Sequence, residues 1–136
     1  MSTRAAYIFS DPDQSFTVYK HYDGHPEGAV EAIIKARLCA WDLPRFEADE
    51  FAAAFVSANK DNAGQVRLTQ NDRRPAEAFG DLEYIYHVRQ DEYGAPVRVY
   101  AWTGWTGEDH TTGDLVLDGV LLSTLCEEDI NQVEED

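Results

Sequence analysis

Basic residues are scarce in this 136-residue sequence: eleven Lys and Arg stand against twenty-six Asp and Glu, and none follows Arg98. The resulting charge of −15 repels nucleic acid and anionic lipid, so direct binding of either is excluded as an expectation. Cysteine is nearly absent. Cys39 and Cys126 make no disulfide framework, and their flanks (AIIKARLCAWD and LLSTLCEED) predict small buried hydrophobes with no bridge between them. Long apolar runs are missing too, since none approaches the ~18–20 residues that span a bilayer. The opening MSTRAAYIFSDPDQ carries one Arg and no apolar stretch of signal-peptide length. A bacterial cytoplasmic, reducing setting is the expectation.

Against these absences, 43% of the residues are hydrophobic and 12% aromatic, which is the composition of a folded chain. The length fits one domain, 1–136, ending in an acidic segment from about residue 107. Ala5–Ser10 and Phe16–Tyr22 read as strands around the turn-forming SDPDQ, with Phe16, Val18 and Lys20 on one face and Thr17, Tyr19 and His21 on the other. Val30, Ile33, Ile34, Arg37, Leu38 and Trp41 recur at helical spacing after Pro26, and the helix ends before Pro44. A second helix spans about Phe46 to Ala58, with Phe51, Ala54, Phe55 and Ala58 as its apolar stripe.

The period then returns to two. Gln65–Gln70 is a short strand, NDRRPAEAFGD is a polar connection, and Leu82–Asp91 and Ala95–Gly104 form a hairpin through EYGAP. Beyond it the pattern predicts a loop, a strand at Leu115–Leu117 and a helical turn near Leu121–Asp129. The order ββ-αα-βββ implies an α+β fold: a mostly antiparallel sheet with both helices packed on one face.

Catalytic motifs do not emerge. There is no G-x-S-x-G, no phosphate-binding loop, and neither Cys lies in a basic setting that would favour its thiolate. No catalytic residue, metal or cofactor is expected. The strongest alternative is a small metal-dependent enzyme built on His21, Asp23 and His25 in HYDGHPEG, yet the same residues read as a strand-to-helix turn. Trp41 and Trp102 are expected in the core, whereas Trp105, between Thr and Gly in a loop, suits an interface. The carboxylates behind it, Glu108, Asp109, Asp114, Asp118, Glu127, Glu128 and Asp129, complete the partner-binding set, although an acidic end is also compatible with a merely solvated tail.

The run FTVYKHYDGHPEG, together with the later YIYHVRQDEYGAPVRVYAW, resembles small proteins of phages, prophages and other mobile elements. Those begin with a strand, the pattern Tyr-x-His-x-Asp-Gly-x-Pro-Glu-Gly and a helix. The resemblance covers the first ~60 residues and, more loosely, the hairpin. It implies an anti-defence role such as an anti-CRISPR protein, and transfers no catalytic residues. Charge and resemblance together predict a non-catalytic inhibitor, acting as a DNA mimic or by steric block, of a basic nucleic-acid-binding host complex such as a CRISPR effector. An immunity-type inhibitor of a nuclease toxin is the neighbouring expectation.

Overall fold

In the computed structural model, residues 3–60, 66–69, 82–103, 105–106, 111–112, 114–126 and 128–129 are described. Strands β1 (Ala5–Ser10) and β2 (Ser15–Lys20) form an antiparallel hairpin, and helices α1 (Pro26–Cys39) and α2 (Ala48–Asn59) follow. Next come β3 (Val66–Thr69), β4 (Tyr84–Arg89) and β5 (Arg98–Thr103). The short β6 (Trp105–Thr106) and β7 (Thr111–Thr112) precede β8 (Leu115–Leu121) and a 3-10 turn at Leu122–Thr124. The main sheet has the order β3-β2-β1-β4-β5-β8, and only its β1–β4 pair is parallel. β6 and β7 pair separately. This is the expected α+β arrangement. The connection 71–81, with Arg73 and Arg74, lies outside the described residues.

Alternation in the strands assigns the two faces. Tyr7, Phe9, Val18, Tyr86, Val88, Val99 and Ala101 meet Val30, Ile33, Ala36, Phe51 and Phe55 of the helices in one buried cluster. Its centre is aromatic, with Tyr7 4.5 Å from Phe55 and Phe9 5.5 Å from Phe51 between ring centroids. Asn59 fastens the helices together by donating from Nδ2 to the carbonyls of Ala32 (3.1 Å) and Phe55 (3.0 Å). The opposite sheet face carries a smaller cluster of Ala6, Tyr19, Leu82 and Ile85, with Ile8 and Trp102 against it.

The Asp-Gly-x-Pro-Glu-Gly run is a structural entry to α1. Asp23 takes a left-handed backbone, φ 57°, and His25 caps the helix by accepting from Gly28 N at 3.3 Å, with Pro26 at the first turn. Gly24 sits so close to β1 that a Cβ there would lie 2.6 Å from the Thr3 carbonyl oxygen and 2.7 Å from Ala5 Cβ. Glycine is required by that approach rather than by backbone angles.

Several expectations need correction. The apolar stripe of α1 stops at Ala36: Leu38 is 77% exposed, and Trp41 lies beyond the helix end, 40% exposed. Trp41 is therefore not core; it is stacked under the Arg45 guanidinium, 3.6 Å from the ring centroid. Trp102 is half-buried and packs on the helix-free sheet face, not against the helices. Cys39 and Cys126 are free and exposed, Cys39 as the last residue of α1 and Cys126 just past the 3-10 turn, where the chain has left the core. β8 runs to Leu121, four residues past the expected strand, because Gly119 adopts φ 68° and absorbs an irregularity in the β5–β8 register. Asp118-Gly119, just past the end of the expected strand, is thus a bulge within β8.

Candidate partner-binding surface

Register gathers one end of the sheet. Ser15, Ser10, Arg89, Arg98 and Leu121 pair in succession across β2, β1, β4, β5 and β8. The connections at residues 11–14 and 90–97 therefore leave from the same end. Asp11 fixes the start of α2 there: its carboxylate accepts from Ala48 N (2.7 Å), Asp13 N (2.8 Å), Gln14 N (3.0 Å) and Gln14 Nε2 (3.1 Å). Glu47, at the helix cap position, makes no side-chain cap bond, so Asp11 supplies this from a distant loop. Burial pushes the Asp11 carboxyl up, but those hydrogen bonds outweigh it and hold the group below its ordinary value. Gln14 Nε2 also donates to Asp49 Oδ1 at 2.9 Å, and Trp41 N to the Glu50 carboxylate at 3.2 Å.

The consequence is electrostatic. Asp11, Asp13, Asp42, Glu47, Asp49, Glu50, Asp91 and Glu92 come from separate stretches of chain and converge on this end, most of them exposed. The arginines nearby are already engaged. Arg45 covers Trp41 and lies 4.0 Å from Glu47, Arg89 pairs with Asp91 at 3.1 Å, and Arg98 donates to the Gly119 carbonyl at 2.7 Å. Arg89 also stacks on Tyr100 at 4.2 Å, so its short contact to Asp91 is an ion pair with poor hydrogen-bond alignment. Such a surface attracts cationic groups over roughly 8–10 Å of saline.

The expected C-terminal set is distributed differently. Asp114 immediately precedes β8 at the far end of the sheet and donates its N–H to Thr103 Oγ1 at 2.7 Å; Asp118 is exposed along the β8 edge. Glu128 is exposed, and half-buried Asp129 accepts from Cys126 N at 2.9 Å. Trp105 lies in β6, paired with Thr112. Glu108, Asp109 and Glu127 fall outside the described residues. The convergent cluster at the other loops was missed because its members come from three separate stretches; strand register brings residues 11–14 and 90–97 to one end, and the hydrogen bonds of Asp11 and Gln14 to Ala48 and Asp49 dock the start of α2 there.

The histidine loop does not assemble as a metal centre. His21 Nδ1 is held 2.7 Å from Tyr19 OH, and His25 is occupied at the α1 cap. Asp23 and His25 border a cleft of about 320 Å³ together with Glu27, Glu31, Lys20 and Lys35, in which Lys35 lies 3.6 Å from Glu31 and Lys20 Nζ donates to the Tyr22 carbonyl. Among the described residues no three His, Cys, Asp or Glu side chains gather in a metal-holding group. On the helix-free face, Ser10 Oγ and His87 Nε2 share a 2.7 Å hydrogen bond. Burial, aided by Arg89 and opposed by Asp91, lowers the His87 pKa from 6.5 to about 4. An imidazole that weakly basic is a poor acceptor for the serine proton near pH 7, and the pair acts as a tie between β1 and β4.

Comparison with family models, with curated proteins and with solved structures finds no match for this chain. Among the described residues no helix is long and apolar enough to cross a membrane.

Proposed function

We propose that the protein acts by binding rather than by catalysis, as an inhibitor of a basic, nucleic-acid-binding host protein or complex of the kind that anti-CRISPR proteins target. The single observation that supports this is the convergence of Asp11, Asp13, Asp42, Glu47, Asp49, Glu50, Asp91 and Glu92 at one end of a rigid sheet, beside arginines already engaged. Carboxylates held in that way can occupy Arg- and Lys-lined grooves where phosphates would lie. Asp11, locked by four hydrogen bonds to the turn and α2, fixes the start of α2 and with it the backbone that carries Glu47, Asp49 and Glu50, so less ordering remains to be done on binding. The phage-like opening directs the reading toward a defence complex as target.

The test is competition. The purified protein is used to capture partners from a bacterial lysate, and the recovered complex is challenged with duplex DNA. Mutual exclusion between DNA and this protein, with capture fading from ~50 to ~200 mM salt, is the expected result. A ternary complex in which DNA and protein bind together would reject the mimicry.

A further inference from the structure

Beside the acidic end lies a cleft of about 360 Å³ whose walls include Leu43, Pro44, Ala95, Pro96, Val97 and Leu121. It forms where the connection between α1 and α2 meets the β4–β5 turn and the end of β8. Its backbone is pinned: Ala95 N donates to the Glu92 carbonyl at 3.0 Å, Gln90 Nε2 to the Ala95 carbonyl at 3.0 Å, and Leu122 N to the Val97 carbonyl at 2.9 Å. The volume is at the small end of the ~300–1,000 Å³ range of ligand cavities and suits one or two side chains. Two exposed aromatics stand next to it in sequence, Trp41 at 40% and Tyr93 at 69% exposure. So do the exposed carboxylates Asp42, Asp91 and Glu92.

We propose that this cleft seats an apolar side chain carried within a Lys/Arg-rich segment of a protein partner. The inference rests on the acidic-end reading above and adds an apolar cleft beside the acids, in segments that carry Asp42 and Glu92. Charge complementarity selects the occupant. A wholly apolar segment would strip water from the exposed Asp42 and Glu92 carboxylates without giving them cations in return, which is costly. A wholly polar basic segment would pair with the acids but leave the apolar walls wet. An apolar anchor flanked by cations satisfies both parts at once, with the anchor central and the charges on the rim, the usual division of an interface.

The experiment uses the whole chain and two fluorescent peptides made of Lys and Arg, alike except for a central Leu in one and Ser in the other. Binding is titrated by anisotropy at ~50 and ~200 mM salt. The Leu peptide should bind about tenfold more tightly, ~1.4 kcal/mol, and the ratio should survive the salt change that weakens both peptides. Ala95→Trp, which fills the cleft, should abolish the ratio while leaving the weaker binding of the Ser peptide; Leu43→Ser should do the same without added bulk. Circular dichroism checks that each variant is folded. Equal affinity for the two peptides, or a ratio untouched by both folded variants, would overturn the cleft assignment alone. Binding of neither peptide at low salt would overturn both the cleft and the acidic-end reading.

Discussion

Asp11 and His87 show how single side chains set the chemistry of this fold. Asp11 does for α2 what a residue next to the helix would ordinarily do, accepting from Ala48 N at 2.7 Å while holding the Asp13–Gln14 turn. Asp11→Ala should lower stability by about 1–2 kcal/mol, as removal of a helix cap does, and urea unfolding would reveal this as a reduced midpoint. His87 is half-buried in the sheet as the neutral ring, burial lowering its pKa to about 4 from an ordinary 6.5. The unfolded chain therefore binds this proton more readily than the folded one, so stability is complete above pH ~6.5 and declines as pH falls toward ~4. Between pH ~7 and ~5, thermal melts of His87→Gln should fall less steeply with acidification than those of the wild type. Parallel slopes would mean that His87 is not held neutral.

The strand and helix elements were largely legible because hydrophobic period follows from burial. Tyr84, Tyr86 and Val88 alternate with Ile85, His87 and Arg89, and β4 presents the first set to the helices. The errors came where a local signal competed with tertiary contact. Asp118-Gly119 resembles a turn, yet Gly119 bends β8 under the Tyr100 ring while pairing with β5 continues to Leu121. Gly119→Ala should cost about 1 kcal/mol or more, since φ is 68° and the new Cβ would lie 3.2 Å from the Tyr100 hydroxyl; a shift in urea midpoint is the readout. Trp41 and Leu38 continued the helical spacing of α1, but spacing cannot say where the opposing layer ends. The acidic surface was legible only as a total charge. Asp13 and Glu92 come to one end through the pairing of β1 with β2 and β4, and Asp49 joins them through the contacts of Asp11 and Gln14 with α2, none of which a window of sequence contains.

For the molecule as a whole, a charge of −15, with eight of the twenty-six carboxylates at one end of the sheet, repels itself as well as attracting cations. Moderate salt should raise the melting temperature of the free protein by screening that repulsion, while weakening its complex with a basic partner. The two trends have opposite signs, which separates loss of binding from loss of folding. The decisive measurement is the salt dependence of partner affinity for two sets of neutralised variants. One set replaces the loop acids (Asp13→Asn, Asp49→Asn, Glu92→Gln), and the other replaces Asp114→Asn and Asp118→Asn on β8. Affinity should drop, and its slope against log salt should flatten, with the loop set, while the β8 set stays close to wild type. Unchanged affinity and slope in the folded loop variants would contradict the account.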